Sequence, residues 1–197
     1  MTQAVATGRD ALLARAIGHF AEHGVGDTSL RGLAEAIGTS HRMLIYHFGS
    51  RDGLLAAVVD TVEQGARDTL ARMVAEAEDD PDPLKAGLRY WHLVTDEALV
   101  YGPLFFELSS HAMLDLPYAA GLRERLVSTW LVSLEAMWTA RGVPRLAARQ
   151  QARLDLAVSR GLLHDLLLTG DRRAVDRAMQ QYAGEAVDRL LGSPRVG

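Results

Sequence analysis

Residues 41–48 read HRMLIYHF and carry several side chains that can hydrogen bond to nucleic acid. At about 100° of rotation per helical residue, Leu44 and Phe48 share one face and three of their neighbours turn to the other. The side chains that turn outward are Arg42, Met43 and Tyr46. A guanidinium can bond a guanine edge or a phosphate, a phenol can donate to phosphate, and a methionine can touch a thymine methyl. This pattern predicts duplex DNA as the partner of the segment.

The residues before this segment form the element that must position it. Between Leu30 and Ile37, apolar residues recur at intervals of three and four, which is typical of one buried helical face. Gly38 suits the left-handed backbone that closes a helix, and the hydroxyls of Thr39 and Ser40 can cap the next one. The sequence therefore predicts a helix-turn-helix over residues 29–48, with a third helix starting after Ser50.

From Phe20 to Leu54 the sequence resembles the DNA-binding domain of the TetR/AcrR family of bacterial transcriptional regulators. The matching fragments are FAEHG, TSLRGLAEAIGTS and LIYHFGSRDGLL. The resemblance implies an all-α protein of about nine helices, in which a three-helix helix-turn-helix domain is joined by a long helix to a C-terminal ligand-binding and dimerisation domain. It also implies a homodimeric repressor that leaves a near-palindromic operator when a small molecule enters a pocket in the larger domain.

Site residues follow from the resemblance by position. The positions that resemble phosphate contacts of the family are Thr28, Thr39, Tyr46, His47 and Arg51. The positions where base readers usually lie are His41, Arg42 and Met43, and Ser40 beside them is also expected to contact DNA. Two residues depart from the family pattern. Arg42 stands where many members have a small residue and could add a base contact, whereas Ile45 replaces a frequent tyrosine.

The composition fits a globular protein of one compact domain or two that share a helix. Of 197 residues, 48% are hydrophobic and 23% are charged, and cysteine is absent, which excludes disulfides and thiolate chemistry. We expect a DNA-binding domain over 1–54 and an effector-binding and dimerisation domain over 55–197. No apolar run approaches the ~20 residues that span a bilayer and no secretion signal is present, so the expected location is cytoplasmic.

The net charge of −4 is unusual for a DNA-binding protein, because nonspecific affinity comes mainly from cations that replace counterions on phosphates. Up to residue 60, five arginines face six acidic residues. His41 and His47 lie beside the proposed surface and can add charge there. We therefore expect modest nonspecific binding and a specificity that depends on shape and on the spacing of two protomers.

Hydrophobic periodicity predicts the remaining helices. Their expected bounds are about 9–23, 51–77, 83–100, a shorter helix over 105–113, then 118–141, 145–168 and 171–191. Gly102 and Pro103 are expected to break the chain between the third and fourth of these. Residues 1–9 are expected to be an unstructured tail, and the acidic run 76–82 a solvated loop. The last two helices have apolar faces with small residues, which suits a four-helix dimer interface over about 145–191.

Large aromatic residues concentrate between Tyr90 and Trp138. They can form the core of the C-terminal domain, or line a cavity for a small, largely apolar effector. The candidate ligand-binding residues are Trp91, Thr95, Phe105, Phe106, His111, Trp130, Trp138 and His164.

Three alternatives stay open at the level of sequence. His19 to His23 reads HFAEH, which matches the H-x-x-E-H pattern of inverted zinc peptidases, although no third ligand is indicated. A helical enzyme that uses the aromatic region as its active site is a second alternative, but no nucleophile elbow, P-loop or dinucleotide motif is present. A family member that activates transcription or lacks an effector is the third. We expect no catalysis, metal or cofactor.

Overall fold

The computed structural model describes residues 8–78 and 82–192, and all regular elements in these ranges are helical. The helices are α1 (Gly8–His23), α2 (Leu30–Ala36), α3 (His41–Phe48), α4 (Arg51–Glu78), α5 (Pro83–Met113), α6 (Ala120–Ala140), α7 (Arg145–Thr169) and α8 (Arg172–Leu191). One turn of 3₁₀ helix, Pro117–Ala119, precedes α6. The all-helical class predicted from the sequence is confirmed.

The chain divides into two compact units. The first comprises Met1–Gly65 and Pro103–Glu124, and the second comprises Ala66–Gly102 and Arg125–Gly197. The fully buried side chains of the first unit include Leu33, Leu44, Leu54, Leu55, Val58, Leu104 and Leu108. They come from α2, α3, α4 and α5. Burial of each large aliphatic side chain stabilises the fold by about 1.5–3 kcal/mol. This core supports the helix-turn-helix.

In the described part of the second unit, hydrophobic clusters join the helices. One is built on Leu134, Ala152 and Leu156, one on Trp91, Leu166, Val175 and Met179, and one on Trp138, Val143, Ala148 and Ala186. Each cluster joins residues of at least two helices among α5, α6, α7 and α8. The aromatic residues of this region therefore contribute to packing.

Most predicted helix bounds agree with the structure to within two residues, because the punctuating residues act as their chemistry predicts. Gly24 follows α1 at φ +75° and Gly170 follows α7 at φ +69°, a left-handed conformation that glycine adopts without a steric penalty. The carboxylate of Asp171 then accepts a hydrogen bond from the Ala174 amide at 3.0 Å and caps α8. None of the described helices is long and apolar enough to cross a membrane.

The predicted break at Gly102 and Pro103 is wrong, because α5 continues through both residues to Met113. Proline normally disfavours a helical conformation at the preceding residue by clashing with its Cβ, and Gly102 has no Cβ. The glycine also serves packing, since a Cβ added there would lie 2.7 Å from Cδ1 of Leu167 on α7. The two residues therefore mark a close helix contact.

The predictions of an acidic loop over 76–82 and of an unstructured tail over 1–9 are corrected in part. The acidic run does not begin as a loop, because α4 extends to Glu78. At the end of the run, Asp82 accepts hydrogen bonds from the amides of Leu84 and Lys85 at 3.0 and 3.1 Å and so starts α5. Residues 8 and 9 of the expected tail are helical, while residues 1–7 and 79–81 lie outside the described part.

Candidate nucleic-acid interface

The predicted helix-turn-helix is formed by α2 and α3. The hydroxyl of Ser29 accepts from the Gly32 amide at 3.1 Å, and that of Ser40 accepts from the Met43 amide at 3.2 Å, so each helix has a side-chain N-cap. Between them Gly38 has φ +66°, a value that L side chains rarely adopt. The turn residues predicted from the sequence thus have the local roles expected of them.

One face of α3 is buried and the other is open. Leu44 is 0% and Phe48 9% exposed, which anchors the helix in the first unit. The exposed residues of the segment are Ser40, His41, Arg42, Met43, Ile45 and Tyr46, and the half-buried ones are Thr39 and His47. Tyr46 is 78% exposed, so its phenol projects from the surface. The predicted base readers therefore share one accessible surface.

Two arginines of α1 hold this motif in place. The Arg9 guanidinium lies over the Phe48 ring, 5.1 Å from its centroid, a cation–π contact of about 0.5–1 kcal/mol. Arg15 donates from Nη1 to the carbonyl oxygen of Ile37 at 3.0 Å and satisfies an acceptor at the end of α2. The guanidinium groups of Arg9 and Arg15 therefore make contacts within the domain, which reduces the positive charge available to DNA phosphates.

The loop between α1 and α2 is held by two charged side chains from other elements. Glu107 of α5 accepts from the amides of Val25 at 2.8 Å and Gly26 at 3.1 Å. Arg51 of α4 donates from Nε to the Thr28 carbonyl at 2.9 Å and from Nη2 to the Gly26 carbonyl at 2.6 Å. Arg51 therefore orders the loop, and its contact with phosphate stays a prediction.

The side chains of His111 and Tyr118 lie next to Glu107 in a short chain of polar contacts. His111, one turn later on α5, has Nε2 4.0 Å from Oε1 of Glu107, and its Nδ1 lies 2.8 Å from the Tyr118 hydroxyl. Burial raises the pKa of the Tyr118 phenol, with the positive charge of Arg51 opposing the rise. His111 was a candidate ligand-binding residue, and these contacts support a structural role for it.

The H-x-x-E-H segment does not assemble a metal site among the described residues, which contain no group of three His, Cys, Asp or Glu side chains placed to hold a cation. The rings of His19 and His23 are stacked with centroids 4.5 Å apart, and Nδ1 of His23 lies 3.0 Å from the His19 carbonyl oxygen. Phe20 between them is buried. The segment is the last turn of α1.

The predicted ligand-binding residues belong to both units and, within the second unit, to different hydrophobic clusters. Trp91 and Trp138 lie in different hydrophobic clusters, and His164 is exposed on α7. Trp130 is half-buried beside a third cluster, and Thr95 is fully buried. Phe105 and Phe106 make an edge-to-face pair with centroids 5.5 Å apart, in the first unit.

Both buried indoles donate to a carboxylate that sequence reasoning missed. Nε1 of Trp91 bonds Asp176 at 2.7 Å, and Nε1 of Trp138 bonds Asp155 at 2.6 Å. These pairs are separated by 85 and 17 residues, and no local pattern connects them. Satisfied indole donors in packed clusters favour a structural role for the two tryptophans.

The Thr95 hydroxyl also has partners within the second unit. It donates to the His92 carbonyl at 2.8 Å and accepts from Nη2 of Arg172 at 2.9 Å. Arg172 pairs in addition with Asp96 and joins α8 to α5. A ligand would have to compete with these bonds to reach the hydroxyl of Thr95.

Tyr90, which the sequence did not single out as a site residue, carries a buried polar atom in the second unit. Its hydroxyl oxygen is buried without a hydrogen-bond partner among the described residues. Its ring packs against the cluster of Leu134, Ala152 and Leu156, with Trp130 beside it. Burial raises the pKa of Tyr90, and the negative charge of Glu97 adds to the rise, so the phenol remains a donor at neutral pH.

The fold and this surface together define an all-helical protein with a helix-turn-helix at its N-terminal end. Residues 12–58 match the family model described as bacterial regulatory proteins, tetR family. The chain is also 45% identical over 56 residues to the HTH-type transcriptional regulatory protein RaaS of Mycobacterium tuberculosis. That match spans 28% of this chain and 26% of the relative, about a quarter of its length. Over this N-terminal segment the chain is similar to the TetR family of bacterial transcriptional regulators.

Solved structures extend the similarity of fold to the whole chain. A transcriptional regulator from Rhodococcus sp. superposes with a TM-score of 0.79 at 24% identity, covering 95% of this chain and 100% of the other. A TetR regulator from Legionella pneumophila gives 0.74 at 15% identity, covering 93% and 98%. A transcriptional regulator from Saccharomonospora viridis, in complex with choline, gives 0.69 at 22% identity, covering 91% and 95%.

Proposed function

We propose that this protein is a cytoplasmic homodimeric repressor that reads a near-palindromic operator through α3 and leaves it when a small, largely apolar effector binds. The open face of α3 carries this proposal. It combines Arg42, Met43 and Tyr46 on a helix whose opposite face is anchored by buried Leu44 and Phe48. A fixed short helix with exposed polar groups suits the major groove.

An exposed apolar stripe on α7 supports dimerisation. Its members are Leu154, Ala157, Gly161, His164 and Leu168, which alternate in steps of three and four and so share one helical face. Leu154 is 45% and Leu168 74% exposed in the single chain. Small residues at the centre of such a stripe allow two helices to approach closely, and a two-fold axis would pair the same surface in both protomers.

Tyr90 supports the effector part of the proposal. An unpaired buried hydroxyl costs about 1–3 kcal/mol, and a ligand that accepts from it would recover this energy. The cluster against which the Tyr90 ring packs is apolar and aromatic and Glu97 adds a negative charge, so the ligand class is a largely apolar molecule with one neutral acceptor such as a carbonyl. The choline complex shows that one protein of this fold holds a small organic molecule.

The test is selection of a random duplex pool on the purified full-length protein at moderate salt. The expected result is an enriched inverted repeat with half-site centres about one helical turn apart, ~34 Å, or a small multiple. A folded dimer that enriches no sequence would contradict the proposal. Reporter expression from the selected operator then separates a repressor from an activator.

The selected operator also serves as the probe for effectors. Compounds are screened for release of the labelled duplex, and each hit is repeated on Tyr90→Phe. We expect this variant to bind DNA normally and to need about tenfold more of an effector that accepts from the hydroxyl, which corresponds to one hydrogen bond. An unchanged dose response would show that Tyr90 does not contact the effector.

A further inference from the structure

The loop between α1 and α2 has one backbone hydrogen bond of its own among the described residues, from the Thr28 amide to the Val25 carbonyl at 3.4 Å, and further bonds come from other elements. It contains Gly24 at φ +75° and Gly26 at φ +38°, and glycines lose more conformational entropy on folding than other residues. Its amides at Val25 and Gly26 both bond Glu107, and its carbonyls at Gly26 and Thr28 both bond Arg51. The Glu107 carboxylate thus binds the amides of the loop, and the Arg51 guanidinium binds its carbonyl oxygens.

The Glu107 carboxylate accepts hydrogen bonds from two adjacent amides of this loop. Each carboxylate oxygen takes one amide, a charge-assisted arrangement that is stronger than a bond to a neutral acceptor. A Cβ added to Gly24 would lie 3.2 Å from Oε2 of Glu107, so the glycine leaves room for the carboxylate. On α5, Nε2 of His111 lies 4.0 Å from Oε1 of Glu107, and the Tyr118 hydroxyl lies 2.8 Å from Nδ1 of His111. Glu107 lies outside residues 12–58, the segment that the family model matches.

This loop leads directly into Thr28 and the start of α2, so its position determines where they lie. Thr28, a predicted phosphate contact, is the last residue before Ser29, which caps α2. We propose that Glu107 is a positioning residue for DNA binding: by holding the amides of Val25 and Gly26, it places Thr28 and the start of α2 against the phosphate backbone. This inference rests on the proposed DNA-binding function.

The test compares Glu107→Ala and Glu107→Gln with Glu97→Gln, measuring affinity for the selected operator by fluorescence anisotropy. Glu97 makes a matched control, because it lies on the same helix but bonds Thr69 and Arg72. We expect Glu107→Ala to weaken binding roughly 5- to 30-fold, which corresponds to about one or two kcal/mol. Glu107→Gln should lose less because it keeps one acceptor oxygen, and Glu97→Gln should bind like the original protein.

A double-mutant cycle with Thr28→Val separates positioning from a general loss of stability. If Glu107 acts through the loop, Thr28→Val should weaken binding in the original chain and add little in the Glu107→Ala chain. Amide hydrogen exchange at Val25 and Gly26 should rise in the Glu107 variants and stay unchanged in the Glu97 variant. Additive losses in the cycle, or normal operator affinity despite fast exchange of the two amides, would overturn the inference.

The two proposals fail in different ways. If the original protein binds no DNA, the proposed function fails, while the exchange measurement still reports whether Glu107 holds the loop. If Glu107→Ala unfolds, Glu107→Gln with the same cycle and exchange measurement decides the question.

Discussion

Gly161, at the centre of the α7 stripe, offers a direct test of the proposed dimer. A Cβ added at this position meets nothing within 4 Å in the single chain. Gly161→Glu should therefore not disturb the protomer, and replacing a helical glycine should favour its fold by about 0.5 kcal/mol. If α7 instead packs against its copy, the same change places a carboxylate from each protomer in a mostly apolar contact.

Burial of an unpaired charge costs several kcal/mol after relaxation. Taking about 3 kcal/mol as the smaller estimate, the dissociation constant of the dimer should rise by at least about 100-fold. The assay is sedimentation velocity over a range of protein concentrations, with thermal unfolding to verify the fold. Gly65→Glu is the matched control, because Gly65 is also helical and exposed and its added Cβ meets nothing within 4 Å.

The reasoning would be refuted by a Gly161→Glu protein that dimerises as tightly as the original. A protein that becomes monomeric and loses operator affinity, while Gly65→Glu keeps both, would support an interface on α7. Equal weakening by both variants would point to charge alone.

Three further results are expected at other sites. Arg42→Ala should cost about 1–3 kcal/mol of operator affinity and relax preference at one base, whereas equal weakening on all sequences would make Arg42 a phosphate contact. Asp155→Asn should lower the free energy of unfolding by about 2–3 kcal/mol in urea titrations, because this carboxylate accepts from Trp138, Gln151 and Tyr182 at 2.6–2.8 Å; a loss under 1 kcal/mol would contradict this. Burial and the charge of Asp155 raise the pKa of Tyr182 from 10.0, so its contribution to stability is constant below pH 10 and is lost as pH rises above it. Tyr182→Phe should therefore reduce the fall in melting temperature above pH 10, and an unchanged alkaline profile would refute this.

Much of the helical content was predictable because it depends on neighbours within one or two turns. The step of 100° per residue places Leu44 inward and Tyr46 outward whatever else the chain does. Ser29, Ser40 and Gly38 act through their own hydroxyls and backbone angles, so the helix-turn-helix follows from local chemistry. For the same reason the exposed surface of α3 agrees with the expectation drawn from the sequence.

The error at Gly102 and Pro103 shows where local reasoning ends. Both residues normally interrupt a helix, yet α5 is continuous here, and the packing of Leu167 onto Gly102 stabilises it. The sequence contains the glycine but not the distance to α7. Local propensity is a weak prior that such a tertiary contact overrides.

By itself the sequence determined most of the helices, the helix-turn-helix and the residues that α3 presents. Only the tertiary structure decided that Glu107 holds a loop more than 80 residues earlier, that Asp176 satisfies Trp91, and that the Tyr90 hydroxyl has no partner in the described part of the chain. The physical reason is that hydrogen bonds between distant residues depend on how helices pack. Periodicity specifies which face of a helix is buried, but not which atoms of another helix it meets.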